Sequence, residues 1–101
     1  MNFSKTFELD KEKINTIPAF FKEQGYKLEL SLPNNYRFTR GSVWLAPLTR
    51  DIKSFPTRVD VIITEKEGNK VQVLVLYDID TMDKVVPPSQ QGKIWAELNS
   101  L

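Results

Sequence analysis

The sequence contains no cysteine and no histidine. Without cysteine the chain can form no disulfide, no thiolate nucleophile and no thiolate metal ligand. Without histidine it also lacks the imidazole ligand and the usual general base near neutral pH. An enzyme built from this chain would have to use carboxylate, lysine, tyrosine, serine or threonine side chains. We therefore predict that the protein is not an enzyme and that it holds no cofactor and no metal.

Long apolar runs and a strong charge of one sign are also missing. No segment approaches the roughly 20 apolar residues that a spanning helix needs, and the N-terminal "MNFSKTFELDKEK" has no signal-peptide core. The net charge is only +1, so the molecule as a whole has no electrostatic attraction to nucleic acid or to a membrane surface. These observations predict a soluble, cytoplasmic protein.

The residues that are present have the composition of an ordinary globular domain. The chain has 101 residues, of which 41% are hydrophobic and 27% charged. This length and composition predict a single domain over residues 1–101 with one core.

Alternating apolar and polar residues predict five strands. They are 3–9, 26–32, a return strand that contains Tyr36 and Phe38, and the two arms of a hairpin over 57–80 that reverses at Gly68–Asn69. In "YKLELSL" (26–32) the alternation predicts that four apolar residues share one face: Tyr26, Leu28, Leu30 and Leu32.

Apolar residues at helical spacing predict two helices. The first begins at an Asp10 N-cap and ends at Gly25, and Pro18 either kinks it or lies in the first turn of a helix capped by Thr16. Ser89 is predicted to cap the second helix, which carries Ile94, Leu98 and Leu101 on one stripe.

The element order β-α-β-β-β-β-α predicts an α+β fold. Short turns between neighbouring strands indicate a mainly antiparallel sheet of about five strands. Each helix has one apolar stripe, which is enough for the two helices to cover one face of the sheet.

The other face of the predicted sheet carries unexpected apolar residues. Ile62, Leu74 and Leu76 fall in the register of the wet face. A loop over 43–48, with Trp44 and Leu45, could fold over them. A homodimer or protein-partner contact would also explain them, as would a small apolar ligand.

Arg40 is the most informative charged residue. Alternation from Tyr36 and Phe38 points it into the core, unless Gly41 is a bulge that redirects it. An inward arginine must be paired or open onto a cavity, and Asp51, Asp78 or Asp80 could supply the partner. A salt bridge that fixes the following loop is the first interpretation, and binding of an anion is the second.

Other patterns are weaker. The segment from Arg37 to Arg58 contains five basic residues and one acidic residue. The basic residues are too widely spaced along it to form a dense nucleic-acid-binding patch. Asp78, Asp80 and Asp83 resemble the start of a calcium loop, but the glycine and glutamate that such a loop needs are absent.

Several strings together resemble a group of small uncharacterised bacterial proteins: Arg40–Gly41–Ser42, "DIKSFPT" (51–57), "VLYDIDT" (75–81) and a last helix with Trp95 and Glu97. That resemblance implies no activity. The element order is similar to that of a TATA-binding-protein half, a fold related to the helix-grip proteins of the Bet v 1 and lipid-transfer type. This likeness implies nucleic-acid binding on the outer sheet face or an apolar ligand between sheet and helix.

We therefore predict a non-enzymatic binding or protein-interaction module. The first hypothesis is a homodimer or partner contact through the outer sheet face, with Ile62, Leu74, Leu76 and Trp44. The alternative is a small apolar ligand whose anionic head is oriented by Arg40. Nucleic-acid binding is the third hypothesis.

Overall fold

The computed structural model describes residues 1–44 and 51–101. The helices and strands are β1 (Asn2–Asp10), α1 (Thr16–Glu23), β2 (Lys27–Leu32), β3 (Asn35–Arg40), β4 (Thr57–Glu65), β5 (Lys70–Ile79) and α2 (Pro88–Asn99). Short 3-10 turns occupy Lys11–Lys13 and Ile52–Ser54. This order confirms the predicted α+β fold.

The five strands form one antiparallel sheet in the order β1-β5-β4-β3-β2. Strands β2 to β5 form a meander, because each is joined to its neighbour along the chain. Strand β1 pairs with the far side of β5, so the segment that contains α1 crosses from one edge of the sheet to the other. Both β1 and β2 are edge strands.

The core lies between the two helices and one face of the sheet. Alternate residues of β4 and β5 supply its centre: Val59, Val61, Ile63, Val71, Val73, Val75, Tyr77 and Ile79, all 4% exposed or less. Ile17 and Phe21 of α1 and Ile94 and Leu98 of α2 are buried against them. The prediction that two helices cover one sheet face is confirmed.

The first helix starts later than an Asp10 cap would place it. Asp10 precedes only the 3-10 turn and makes no side-chain cap bond there. Helix α1 begins at Thr16 after Asn15, so Pro18 lies in its first turn, where the missing amide costs no hydrogen bond. Thr16 itself is inside the helix and its hydroxyl donates to the Lys13 carbonyl.

Helix α2 begins one residue before the predicted cap. Pro87 occupies the N-cap position and Pro88 starts the helix, so the prediction of Ser89 as the cap is wrong. Proline is favoured at this position because its fixed φ suits the first turn. Within the described residues, no helix is long and apolar enough to cross a membrane.

A β-bulge in β2 corrects the predicted strand face. Leu28 pairs with Phe38, but Leu30 pairs with Arg37, so the register shifts between Leu28 and Leu30. Such a bulge places two residues opposite one and reverses the alternation. Leu28 therefore stays on the helix side, whereas Leu30 and Leu32 lie on the outer face.

Candidate functional site

Arg40 points into the space between the sheet and the helices, as predicted. It pairs with Thr57 on β4, on the same face as Phe38, so Gly41 does not act as a bulge that redirects it. The predicted acidic partners are wrong. Arg40 Nη1 donates to Glu97 Oε1 at 2.6 Å, and the two side chains are only 9% and 1% exposed.

Two further contacts surround the Arg40 guanidinium. Its Nη1 also donates to the carbonyl of Gln24, at the C-terminal end of α1, at 2.9 Å. Its plane lies 4.1 Å from the centre of the Tyr26 ring, a cation–π contact. Arg40 therefore joins the end of β3, the end of α1 and the last turn of α2.

Two tyrosine hydroxyls complete the environment of Glu97. The hydroxyls of Tyr26 and Tyr77 each donate to Glu97 Oε2 at 2.8 Å. Burial raises the pKa of both phenols above the ordinary value, and the adjacent Glu97 carboxylate adds to the rise. We call Arg40, Glu97, Tyr26 and Tyr77 the buried polar cluster.

The glycine after Arg40 is required by the backbone around the cluster. Gly41 has φ of +88°, and a Cβ placed on it would lie 2.0 Å from the Phe55 carbonyl oxygen. The sequence therefore needs glycine here for both conformation and close approach. The Ser42 amide donates a hydrogen bond to the Ser54 carbonyl. The segment that follows β3 and the segment that precedes β4 are therefore in contact at two neighbouring positions.

The buried polar cluster is well suited to holding the fold together and poorly suited to binding an anion. Both Nη1 bonds of Arg40 are made within the protein, and Nε is buried without a partner among the described residues. An incoming anion would have to displace Glu97, whose charge would then be buried and unpaired. The geometry thus favours the structural interpretation of Arg40 over the anion-binding one.

The outer face of the sheet carries two groups of apolar side chains, one on β2 and one on β4 and β5, with Asn35 and Arg37 of β3 between them. Residues paired directly across neighbouring strands share a face. One row runs Leu32, Asn35, Ile62 and Leu74, and the adjacent row runs Leu30, Arg37, Asp60 and Leu76. We call the five apolar residues of these rows the outer patch: Leu30, Leu32, Ile62, Leu74 and Leu76.

The outer patch remains partly open to solvent. Leu32 is 50% exposed, Ile62 and Leu76 are each 38% exposed, and Leu74 and Leu30 are half-buried. Trp44, one of the predicted covering residues, is itself 83% exposed and does not join the patch. Leu45 and the rest of the predicted covering loop to residue 48 lie outside the described residues. Leu30 and Leu32 were not predicted for this face, because only the bulge brings them there.

Charged residues beside the outer patch pair with one another. Arg37 Nε lies 2.9 Å from Asp60, Arg58 Nε lies 3.5 Å from the same carboxylate, and Arg58 Nη2 lies 3.3 Å from Asp78. Two arginines thus balance two aspartates in a chain along the face. Asp78 belongs to this chain of ion pairs through Arg58. The sequence analysis named it as a possible partner of Arg40, but Arg40 pairs with Glu97 instead.

The described residues contain no group of three or more acidic side chains close enough to hold a metal ion. Comparison with protein-family models and with curated proteins finds no match to this chain. Functional inference therefore rests on the two features above, the buried polar cluster and the outer patch.

Proposed function

We propose that the protein is a non-enzymatic interaction module that self-associates through the outer patch and acts in the cytoplasm. One observation carries the proposal: five apolar side chains occupy two adjacent rows of the sheet face that the helices leave uncovered. Large apolar side chains that cluster on an exposed face often mark an interaction site. Self-association would remove Leu32, Ile62 and Leu76 from water.

The charges beside the outer patch support a second copy of the chain as the partner. Arg37, Asp60, Arg58 and Asp78 are internally balanced, so two such faces can meet without an excess of like charge. A nucleic-acid surface would instead need unpaired cations to replace phosphate counterions. The same balance argues against the third hypothesis from the sequence.

Sedimentation velocity over a concentration series tests self-association. We expect the wild-type protein to show a reversible, concentration-dependent dimer. Leu76→Lys should stay monomeric, because it places an additional positive charge within the contact, next to Asp60, which Arg37 and Arg58 already balance. The matched control is Thr64→Lys, which adds the same charge to an exposed position of the same face, outside the outer patch.

Two results would overturn the proposal. A wild-type protein that remains monomeric at every concentration excludes self-association. A Leu76→Lys variant that dimerises as well as Thr64→Lys excludes the outer patch as the contact. Thermal unfolding of both variants shows whether the fold is retained, which the partial exposure of Leu76 leads us to expect.

A further inference from the structure

A groove opens between α1 and the edge of the sheet, on the helix side and away from the outer patch. It has a volume of about 440 Å³ and is lined by Pro18, Ala19, Lys22, Tyr26, Lys27, Leu28 and Phe38. That volume falls within the range of roughly 300–1,000 Å³ that small-molecule sites occupy in proteins.

The floor and walls of the groove are apolar. Phe38 and Tyr26 are almost fully buried and close its base, and Phe21 packs against both rings from below, with centroid distances of 4.6 and 5.3 Å. Leu28 is 51% exposed, although the bulge keeps it on this side of the sheet. An apolar ligand in the groove would therefore cover exposed leucine surface over a rigid aromatic base.

The charged residues that line the groove have one sign. Lys22 and Lys27 contribute to the lining, and neither forms an ion pair with any described residue. Lys27 pairs with Thr39, on the opposite face of the sheet from Phe38, so Lys22 is the lysine on the groove side. No acidic residue is among the described residues of the lining. An apolar trough with an unpaired cation at its rim is complementary to a ligand with an apolar body and an anionic end.

We propose that the groove between α1 and β2 binds a small amphipathic carboxylate, such as a medium-chain fatty acid, with its chain over Leu28 and Ala19 and its carboxylate towards Lys22. This site differs from the one expected from the sequence, in which Arg40 orients the anion. Arg40 is held by Glu97 and Gln24, whereas Lys22 forms no ion pair with a described residue and can meet a ligand. The proposal is independent of self-association, because the outer patch lies on the opposite face of the sheet.

Addition of a peptide strand to the open edge of β2 is the competing use of this surface. Edge strands can pair with an extended segment of another chain. However, the bulge between Leu28 and Leu30 interrupts the regular hydrogen-bonding edge beside the groove. The structure thus favours a small ligand over a paired strand at this place.

Titration with sodium decanoate, below the concentration at which it forms micelles, tests the proposal by NMR chemical-shift mapping and by calorimetry. Decan-1-ol has the same chain without the charge, and acetate has the charge without the chain. We expect decanoate to shift the amide resonances of residues that line the groove. Acetate should produce no such shifts, and decan-1-ol should bind more weakly than decanoate.

Removal of the Lys22 charge should affect only the anionic ligand. For the variant Lys22→Gln we expect decanoate binding to weaken about 1.4- to fivefold, because an exposed ion pair contributes roughly 0.2–1 kcal/mol. Decan-1-ol binding should not change, and this distinguishes a contact with the carboxylate from a loss of helix stability. Lys13→Gln is the matched control, since this lysine is exposed and lines no part of the groove.

Three outcomes would overturn the proposal. Decanoate that does not bind excludes the site, and decanoate whose shifts map to Ile62, Leu74 and Leu76 binds the outer patch instead. Equal weakening of decanoate and decan-1-ol in the lysine variant excludes the carboxylate contact. Shifts along all of β2 with an apolar, acidic decapeptide, and none with decanoate, would establish strand addition in its place.

Discussion

At the scale of single residues, the ion pair between Arg40 and Glu97 is the most consequential contact in the protein. The two residues are 57 positions apart and lie on the third strand and the last helix. A buried pair of this kind adds little net stability over an apolar pair of the same size, yet loss of one partner leaves the other charge without compensation. Both residues are therefore intolerant of single substitution.

We predict that Glu97→Gln destabilises the protein by about 3–5 kcal/mol, because the Arg40 guanidinium is then buried without a counter-charge. Urea denaturation monitored by circular dichroism measures the loss. The matched control is Glu65→Gln, which removes the same charge from the exposed pair with Lys11, where the side chains are 54% and 69% exposed. An exposed pair contributes at most about 1 kcal/mol, so equal losses in the two variants would show that the buried pair has no special role.

The inward direction of Arg40 could be predicted from the sequence, but its partner could not. Alternation along β3 reports which face a residue occupies, and Phe38 places that face in the core. Alternation does not indicate which carboxylate, distant in the sequence, lies next to the Arg40 guanidinium in the folded protein. Glu97 lies on the buried stripe of α2 with Ile94 and Leu98. A carboxylate within an apolar stripe is the sequence feature that could have identified Glu97 as the buried partner.

At the scale of elements, the bulge in β2 determines what the outer face looks like. Strict alternation over 26–32 would place Leu30 and Leu32 in the core and leave only Ile62, Leu74 and Leu76 outside. The insertion of one extra residue between Leu28 and Leu30 reverses that placement. Periodicity identifies the strand correctly, but a bulge depends on how the strand pairs with its neighbour and has no fixed sequence signature.

The segment that leaves β3 depends on a glycine, and this gives a second prediction. Gly41→Ala should destabilise the protein by clearly more than Gly68→Ala. Both glycines have positive φ, of +88° and +71°, so alanine costs about 1–2 kcal/mol at either position. Only at Gly41 would the new Cβ also meet a carbonyl oxygen, at 2.0 Å, whereas nothing lies within 4 Å of it at Gly68.

Thermal and urea unfolding of the two alanine variants provide the comparison. Gly68 lies in the turn between β4 and β5, so its variant reports the backbone strain alone. The difference between the two variants is then the cost of separating Gly41 from the Phe55 backbone. Equal destabilisation of the two variants would mean that moving Gly41 away from the Phe55 backbone costs no free energy.

At the scale of the whole molecule, the two proposed surfaces use different sides of one sheet. The helices cover one face and leave the groove between α1 and β2, while the uncovered face carries the outer patch. The predicted element order and the single helix-covered face account for this arrangement. The sequence does not indicate the groove, because it forms where α1 and the bulged edge of β2 meet, a relation that only the assembled fold defines.

The stability of the whole molecule should fall steeply at alkaline pH. In the unfolded chain a tyrosine ionises near pH 10. In the folded protein burial and the Glu97 carboxylate hold the pKa of Tyr26 and Tyr77 above that value. Above about pH 10 the unfolded state therefore binds fewer protons than the folded state, so the stabilisation that is complete below pH 10 is lost as the pH rises.

Each raised phenol contributes a slope of about 1.4 kcal/mol per pH unit, so the pair contributes about 2.7 kcal/mol per unit above pH 10. Urea denaturation at a series of alkaline pH values measures this slope. Tyr77→Phe should remove about half of the tyrosine contribution, and Tyr26→Phe/Tyr77→Phe should remove nearly all of it, although both variants are less stable than wild type at neutral pH. An unchanged slope in the double variant would mean that the two phenols ionise without unfolding the protein, and that the buried polar cluster is open to water.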